Sequence, residues 1–377
     1  MGRTVSAVVT SGGTAVGTVG PFDVAIPWWA EVEPVVAHLR AVLGVPVYVL
    51  RLLDVEGGEG GRDGHVTYHV EAPGTSATLP PAPAPLDAHP LRAHWATAQG
   101  LTDLLVWARE ALDTEITGPA IQRRTWNLAG LFRLPTTDGP VWLKALPPFA
   151  ADEAKVIAEF AAVDPTLVPE VLAADKGRML LAEIPGEDCW HAPVDVLAAG
   201  IRRFVAAQAA ITPPSWLPTR SPADEVTALL DRDLGLTLDE IERTRALLPG
   251  WRELEDCGLP TTIVHGDFHC GNWRSDNGGP PTILDFADAH NGNPVLDGLR
   301  VTEFRDQTIT PVARALWAAA WQEERPDSDP VRALTIAEPL AHLHYAVRYQ
   351  EFLDGIEESE RIYHHSDPAA EIRAALR

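Results

Sequence analysis

The stretch Thr261-Thr262-Ile263-Val264-His265-Gly266-Asp267-Phe268-His269-Cys270-Gly271-Asn272-Trp273-Arg274-Ser275-Asp276-Asn277-Gly278-Gly279-Pro280-Pro281-Thr282-Ile283-Leu284-Asp285-Phe286-Ala287-Asp288 decides how the chain is read. It interleaves polar functional side chains with strand-forming runs at a density found nowhere else in the sequence. Residues 261–264 and 282–284 are apolar or β-branched and read as strands. The first ends on His265-Gly266-Asp267 and the second on Asp285. Between them Asp276-Asn277-Gly278-Gly279 signals a tight reversal, because Asn and Gly accept the positive φ values such turns require. A reversal near Gly278 and Gly279 brings Asn272 opposite Asp285 to within a residue or two. An amide oxygen beside a carboxylate makes a hard-oxygen site suited to Mg²⁺, with Asp267 left to address a substrate.

The 377 residues can bury a sizeable core and form two or three domains. No run of about 18 apolar residues is present, and the N-terminus lacks the apolar stretch of a signal peptide. Cys189, Cys257 and Cys270 show neither CxxC pairing nor metal spacing, which fits free thiols in a reducing compartment. The expected location is cytoplasmic, with no membrane partner. A net charge of −23 argues against a nucleic-acid partner, since phosphate binding needs basic patches. The acidity suits a cationic small molecule and, more generally, solubility. Of the 30 basic residues only Lys144, Lys155 and Lys176 are lysines, leaving 27 arginines, so a lysine that is kept can be needed as a compact point charge.

Taken in order, residues 5–10, 47–53 and 66–71 read as strands and 28–43 as a helix, giving a small α/β domain over 1–113. Leu79-Pro80-Pro81-Ala82-Pro83-Ala84-Pro85 is a semi-rigid spacer within a linker at 79–90. Residues 91–112 form one or two helices. Strands at 122–127, 131–134 and 141–146 make an antiparallel meander with turns at 127–130 and 136–139, followed by a helix at 150–161 and strands at 168–175 and 178–184. Helices follow at 194–211, 223–230 and 238–248, with Ser221 and Thr237 available as caps. Two more are expected at 313–324 and 335–360, with Trp317 and Trp321 in the core and residues 357–360 as a solvated acidic end. Asp288 is expected to cap the helix that follows it, with a place in the metal shell as the alternative. Lys144 lies in an otherwise apolar strand, where an unpaired ammonium is costly. It therefore either faces solvent from an edge strand or has a partner. Glu153, on the helix that carries Ile157 and Phe160, can reach back to it, with Glu159 as the rival.

The pattern of His265-Gly266-Asp267, then Asn272 after four residues, then a strand ending in Asp285, resembles the aminoglycoside phosphotransferase and choline kinase-like family, relatives of protein kinases. The resemblance covers roughly residues 115–350. It implies an α+β, bilobal protein-kinase-like fold: a small nucleotide-binding lobe at 114–184 and a helical catalytic and acceptor-binding lobe at 185–377. It also implies transfer of the ATP γ-phosphoryl group to a hydroxyl of a sugar, an aminoglycoside or a related small metabolite. In that reading Asp267 is the base, and Asn272 and Asp285 hold Mg²⁺. Lys144, paired with Glu153, holds the α- and β-phosphates, the turn at Asn127 covers the phosphates, and Ala182, Glu183 and Ile184 form the hinge that meets adenine. An aspartate of ordinary pKa, about 4, is ionised at neutral pH and can take the hydroxyl proton late in transfer. His265 becomes a structural hydrogen-bonding residue. The element order of residues 1–75 resembles a Nudix fold, but residues 34–43 supply none of the glutamates that chemistry needs, which implies an inactive domain.

Two other readings compete. His265, Asp267 and His269 alternate at i, i+2 and i+4, so on a strand they would share one face as ligands of a metal-dependent hydrolase, with Asp285 and His290 to complete the set. Gly266 and Gly271 argue for a loop, where alternation loses its meaning. A non-catalytic kinase-like binding module is the third reading, disfavoured because every expected polar residue is present.

Overall fold

The computed structural model describes residues 2–81, 88–126, 128–301, 303 and 308–377. Asn127 and residues 82–87 of the expected linker therefore lie outside the described residues. The chain forms two compact units, and neither is continuous in sequence. The first takes Met1–Ala150, Val171–Glu183 and Phe352–His365; the second takes Ala151–Glu170, Ile184–Glu351 and Ser366–Arg377.

The first unit begins with β1 (Arg3–Ser11), β2 (Thr14–Val24), α1 (Glu33–Leu43), β3 (Tyr48–Glu56) and β4 (His65–Glu71). The sheet order is β2-β1-β4-β3, with β1 and β4 parallel and the outer pairs antiparallel. Alternate residues of β1, Val5, Ala7 and Val9, are buried in one core with Val35, Leu39 and Leu43 of α1. The helix starts at Glu33, five residues later than its apolar spacing suggests. Pro34 sits in the first turn, where its missing N–H is one of the groups a helix leaves unpaired anyway. Strand β2 escapes the sequence reading because its glycines and scattered polar residues break the alternation that marks a strand.

After α2 (Ala98–Ala111), capped by the Thr97 hydroxyl on Gly100 N–H at 2.9 Å, come β5 (Ile121–Trp126), β6 (Ala129–Thr136), β7 (Gly139–Ala145), β8 (Val171–Asp175) and β9 (Arg178–Ala182). All neighbours are antiparallel, in the order β5-β6-β7-β9-β8. Leu101, Leu104 and Ala108 of α2 share a core with Phe132, Leu134 and Leu143 of this sheet. The two sheets of the unit are tied by Gln122, whose buried amide bonds both the N–H and the carbonyl of Val49, each at 2.7 Å.

Residues 357–360 are not the solvated acidic end that their composition suggests. A 3-10 turn, Glu358–Tyr363, leaves Glu357 and Glu360 only 5% and 6% exposed. A carboxyl group tolerates burial only when it is paired or keeps its proton. Glu357 meets Arg51 at 2.6 Å and Arg92 at 3.0 Å, and Glu360 accepts Leu52 N–H at 3.1 Å.

The second unit is mainly helical: α3 (Glu153–Val163), α4 (Val194–Ala210), α5 (Pro222–Leu230), α6 (Leu238–Leu247), α7 (Gly250–Glu255), α8 (Val295–Arg300), α9 (Thr310–Glu324), α10 (Pro330–Gly355) and α11 (Asp367–Ala375). Thr237 and Glu240 form a reciprocal capping box on α6. Ser221 precedes α5 without capping it, its hydroxyl going to Asp224 at 2.5 Å. Trp317 and Trp321 are fully buried. Short strands β10 (Glu187–Asp188), β11 (Thr262–Val264), β12 (Trp273–Ser275), β13 (Thr282–Ile283) and β14 (His290–Gly292) form the sheets β10-β12-β13 and β11-β14. No helix among the described residues is long and apolar enough to cross a membrane.

Candidate active site

The hairpin of the opening stretch sets the site. Its turn places Asn277 and Gly278 at φ of 50° and 73°. β12 and β13 pair with Trp273 opposite Ile283, and Leu284 N–H donates to the Asn272 carbonyl at 2.8 Å. Asp285 follows one residue later, with its own backbone in the left-handed region at φ 67°. A non-glycine residue held there is strained, and such strain collects where a side chain must be aimed. The next residue, Phe286, donates its N–H to Glu153 at 3.1 Å, so the α3 carboxylate braces the chain just beyond Asp285.

Ahead of the hairpin, Gly266 turns at φ 86°, where an added Cβ would lie 2.4 Å from the Asp288 carbonyl. Fully buried Asp297 of α8 accepts His265 N–H at 2.9 Å, Gly266 N–H at 3.2 Å and the Gln208 amide at 2.8 Å. Burial pushes its pKa up to about 7, against the pull of those donors. The His265 ring is equally committed. Its Nδ1 accepts Asp267 N–H at 3.2 Å, which puts the proton on Nε2, bonded to the Leu284 carbonyl at 2.9 Å. Burial lowers its pKa to about 4, so it is neutral at pH 7.

Asp267 is the convergence point. Its Oδ1 accepts from Arg300 Nε at 2.8 Å and Nη2 at 2.7 Å. Its Oδ2 accepts from Asn272 Nδ2 at 2.9 Å and faces His269 Nε2 at 3.3 Å. Burial works to raise its pKa, but the Arg300 guanidinium and the His269 ring outweigh it and hold the carboxyl well below the usual range. The ordinary value of about 4 expected from sequence is thus corrected by Arg300, a residue 33 positions downstream. Because the Asn272 amide nitrogen is turned to Asp267, its amide oxygen points the other way, the donor type that Mg²⁺ takes. His269 Nδ1 accepts Gly271 N–H at 3.0 Å, and its ring stacks on Trp190.

These contacts remove the hydrolase reading. Both ring nitrogens of His265 are used within the protein, and His269 presents its Nε2 to Asp267 as a donor. Among the described residues no three His, Cys, Asp or Glu side chains converge as a metal set. Asp288 does not cap α8: it pairs with Arg348 at 2.5 Å, while Asn293 accepts Val295 N–H at 3.0 Å.

In the first unit Lys144 lies in β7, flanked by β6 and β9, opposite Leu131 and Met179. It is 7% exposed, so the edge-strand alternative does not hold. Ala182 closes β9 opposite Val141, and Glu183 accepts Trp142 Nε1–H at 2.6 Å. Ile184, in the second unit, gives its carbonyl to Arg274 at 3.2 Å. The sequence reading missed Arg300, Gln208 and the role of Asp297. Asp297 carried a signal, the Asn293-Pro294-Val295-Leu296-Asp297 helix start; Arg300 carried none.

Half-buried Asp267 and Asn272 thus share one loop, with Asp285 just beyond the adjoining strand β13. The chain belongs to the phosphotransferase enzyme family, whose sequence model matches residues 131–334. None of the curated proteins matches it. Among solved structures it is similar to a choline/ethanolamine kinase family protein from Mesorhizobium loti, with TM-score 0.53, 17% identity, and 74% of this chain and 95% of that one covered. It is also similar to a choline kinase from Streptococcus pneumoniae, with TM-score 0.53, 13% identity and coverage of 73% and 99%. A candidate fructosamine-3-kinase from Thermobifida fusca gives TM-score 0.51 at 19% identity, covering 72% and 98%. At these identities the likeness establishes the fold, which is protein-kinase-like.

Proposed function

We propose that this phosphotransferase is a small-molecule kinase that moves the γ-phosphoryl group of MgATP to a hydroxyl of a sugar, an aminoglycoside or a related metabolite. The observation that carries the reading is the Asp267–Asn272 pair, with Asp285 one residue beyond the Asn272–Leu284 bond. Asn272 Oδ1 and the Asp285 carboxylate fit a small hard cation, which takes one or two protein oxygens and completes its shell from phosphates and water. Bound there, Mg²⁺ would neutralise phosphate oxygens during transfer.

The acceptor oxygen attacks the γ-phosphorus, the bond to the β,γ-bridging oxygen breaks with its electron pair leaving on ADP, and the hydroxyl proton passes to Asp267. The transition state is loose, so the proton moves late and a carboxylate of low basicity suffices; positioning does most of the catalysis. Lys144 is assigned to the non-transferring phosphates as a point charge, and Ala182, Glu183 and Ile184 to adenine. Asn127 is assigned to the phosphate turn. The N-terminal sheet is assigned a structural or substrate-capping role; α1 carries one carboxylate, Glu33, too few for a Nudix metal site.

The test is ATP consumption against a panel of aminoglycosides, amino sugars, nucleosides and choline, with Mg²⁺ and then with Zn²⁺. Mg²⁺-dependent ADP release with at least one acceptor is expected. Hydrolysis of a simple phosphate ester that ignores Mg²⁺, with no acceptor-stimulated turnover, would remove the reading.

A further inference from the structure

We infer that Arg300 decides which oxygen of Asp267 receives the acceptor proton. The inference rests on the phosphotransfer reading and adds to it a positioning residue. An ionised carboxylate offers about four lone-pair directions. At Asp267 all four are met: Oδ1 by Nε and Nη2 of Arg300, Oδ2 by Asn272 Nδ2 and His269 Nε2. An acceptor hydroxyl therefore reaches the carboxylate only by taking the place of one donor.

The four donors are unequal. Arg300 places two charge-assisted bonds on a single atom, the strong kind. It is itself 8% exposed, pairs through Nη1 with Glu303, and lies 4.7 Å over the ring of Tyr345. Moving it would strand a buried cation and break three interactions together. The Asn272 amide is held twice, since it also donates to the Asp267 carbonyl at 3.0 Å. His269 gives a single contact, the longest of the four at 3.3 Å, and its ring rests on Trp190, which is 37% exposed. Displacement falls on His269. The hydroxyl enters at Oδ2, and Arg300 keeps Oδ1 from rotating into its place. In transfer the hydroxyl proton goes to Oδ2 as the acceptor oxygen bonds the γ-phosphorus and ADP departs.

The test compares Arg300→Ala and Arg300→Lys with the wild type, using MgATP and the acceptor panel above. Arg300→Ala is expected to lose about 10²-fold in kcat, with KM for MgATP within about twofold, and added guanidinium ion is expected to recover part of the loss. Arg300→Lys should fall between, because an ammonium supplies the charge without the planar fork. Wild-type kcat in Arg300→Ala, or a loss that guanidinium does not ease in a variant with the wild-type melting point, overturns the role. Nitrogen-15 spectra of arginine side chains give a readout that needs neither turnover nor the alanine variant. One protected Nε–H resonance should vanish in Arg300→Lys and shift in Asp267→Asn. No such response overturns the pairing. A protein that shows the resonance but consumes no ATP with any acceptor overturns the transfer reading and this role with it, whereas an active enzyme indifferent to Arg300 overturns the role alone.

Discussion

Asp297 accepts the backbone N–H of His265 at 2.9 Å, so an acid from the helix after the hairpin fixes the start of the loop that carries Asp267. The same carboxylate takes Gly266 N–H and the Gln208 amide, and no water substitutes easily at a fully buried position. Asp297→Ala would strand all three donors, and a loss of about 3 kcal/mol or more is expected in denaturant unfolding. Asp297→Asn, which keeps the shape and one acceptor, should lose less. An alanine variant as stable as the wild type would refute this account of the loop.

Asp267→Asn should retain MgATP binding while turnover falls by about 10² to 10⁴-fold, since the amide can still be held in place but cannot take a proton. Asp285→Asn should instead lose Mg²⁺-dependent nucleotide binding, measured by titration calorimetry with and without the metal. Full turnover in the first variant, or unchanged metal-dependent binding in the second, would reverse these assignments.

His290 is buried beside His344, with Arg220 and Arg348 nearby; burial, and after it those guanidinium groups, lower its pKa to about 3. A folded-state value below the ordinary 6.5 means that the unfolded chain takes up the proton first as the pH falls. The stability this histidine contributes is full above about 6.5 and is lost progressively toward 3. His290→Gln should therefore gain on the wild type between pH 7 and pH 5, by on the order of 2 kcal/mol, read from unfolding midpoints at each pH. A constant difference across that window would contradict the neutral, buried histidine.

Glu360 gives the opposite sign. Burial raises its pKa to about 8 against the pull of its bond to Leu52 N–H, while the neighbouring Glu357 adds to the rise. A carboxyl that prefers its proton in the folded state stabilises below the unfolded value of 4.5 and loses that contribution as the pH climbs through 8. Glu360→Gln, which keeps the acceptor for Leu52 N–H and never ionises, should gain on the wild type between pH 5 and pH 9. Melting curves that stay parallel across that range would show that Glu360 is ionised throughout.

What the sequence made legible follows how local each determinant is. The turn at Asn277 and Gly278 needs only their own backbone freedom, and it sets Asp285 one residue beyond the partner of Asn272. Helix α4 declares itself through its apolar spacing, and Thr237 and Glu240 through a capping box read three residues apart. Strand β2 did not, because its edge position leaves one side polar and its glycines erase the period. Glu357 looked solvated because acidic runs mostly are; the Arg51 that reverses this lies 306 residues away. Arg300 was invisible for the same reason: one arginine among 27 has no local mark, and only the closure of the fold sets its guanidinium on Asp267.

The pairing of Arg51 with Glu357 also sets a timetable. During synthesis at roughly 5 to 20 residues per second, the arginine is incorporated about 15 to 60 s before its acid. For that interval the first sheet can assemble β1 through β4, yet it must keep Arg51 in water or carry it unneutralised. Completion of the first unit waits on Phe352–His365, made about 300 residues after Arg51. A nascent chain stalled before Phe352 should therefore hold this sheet in a loosened, protease-sensitive form.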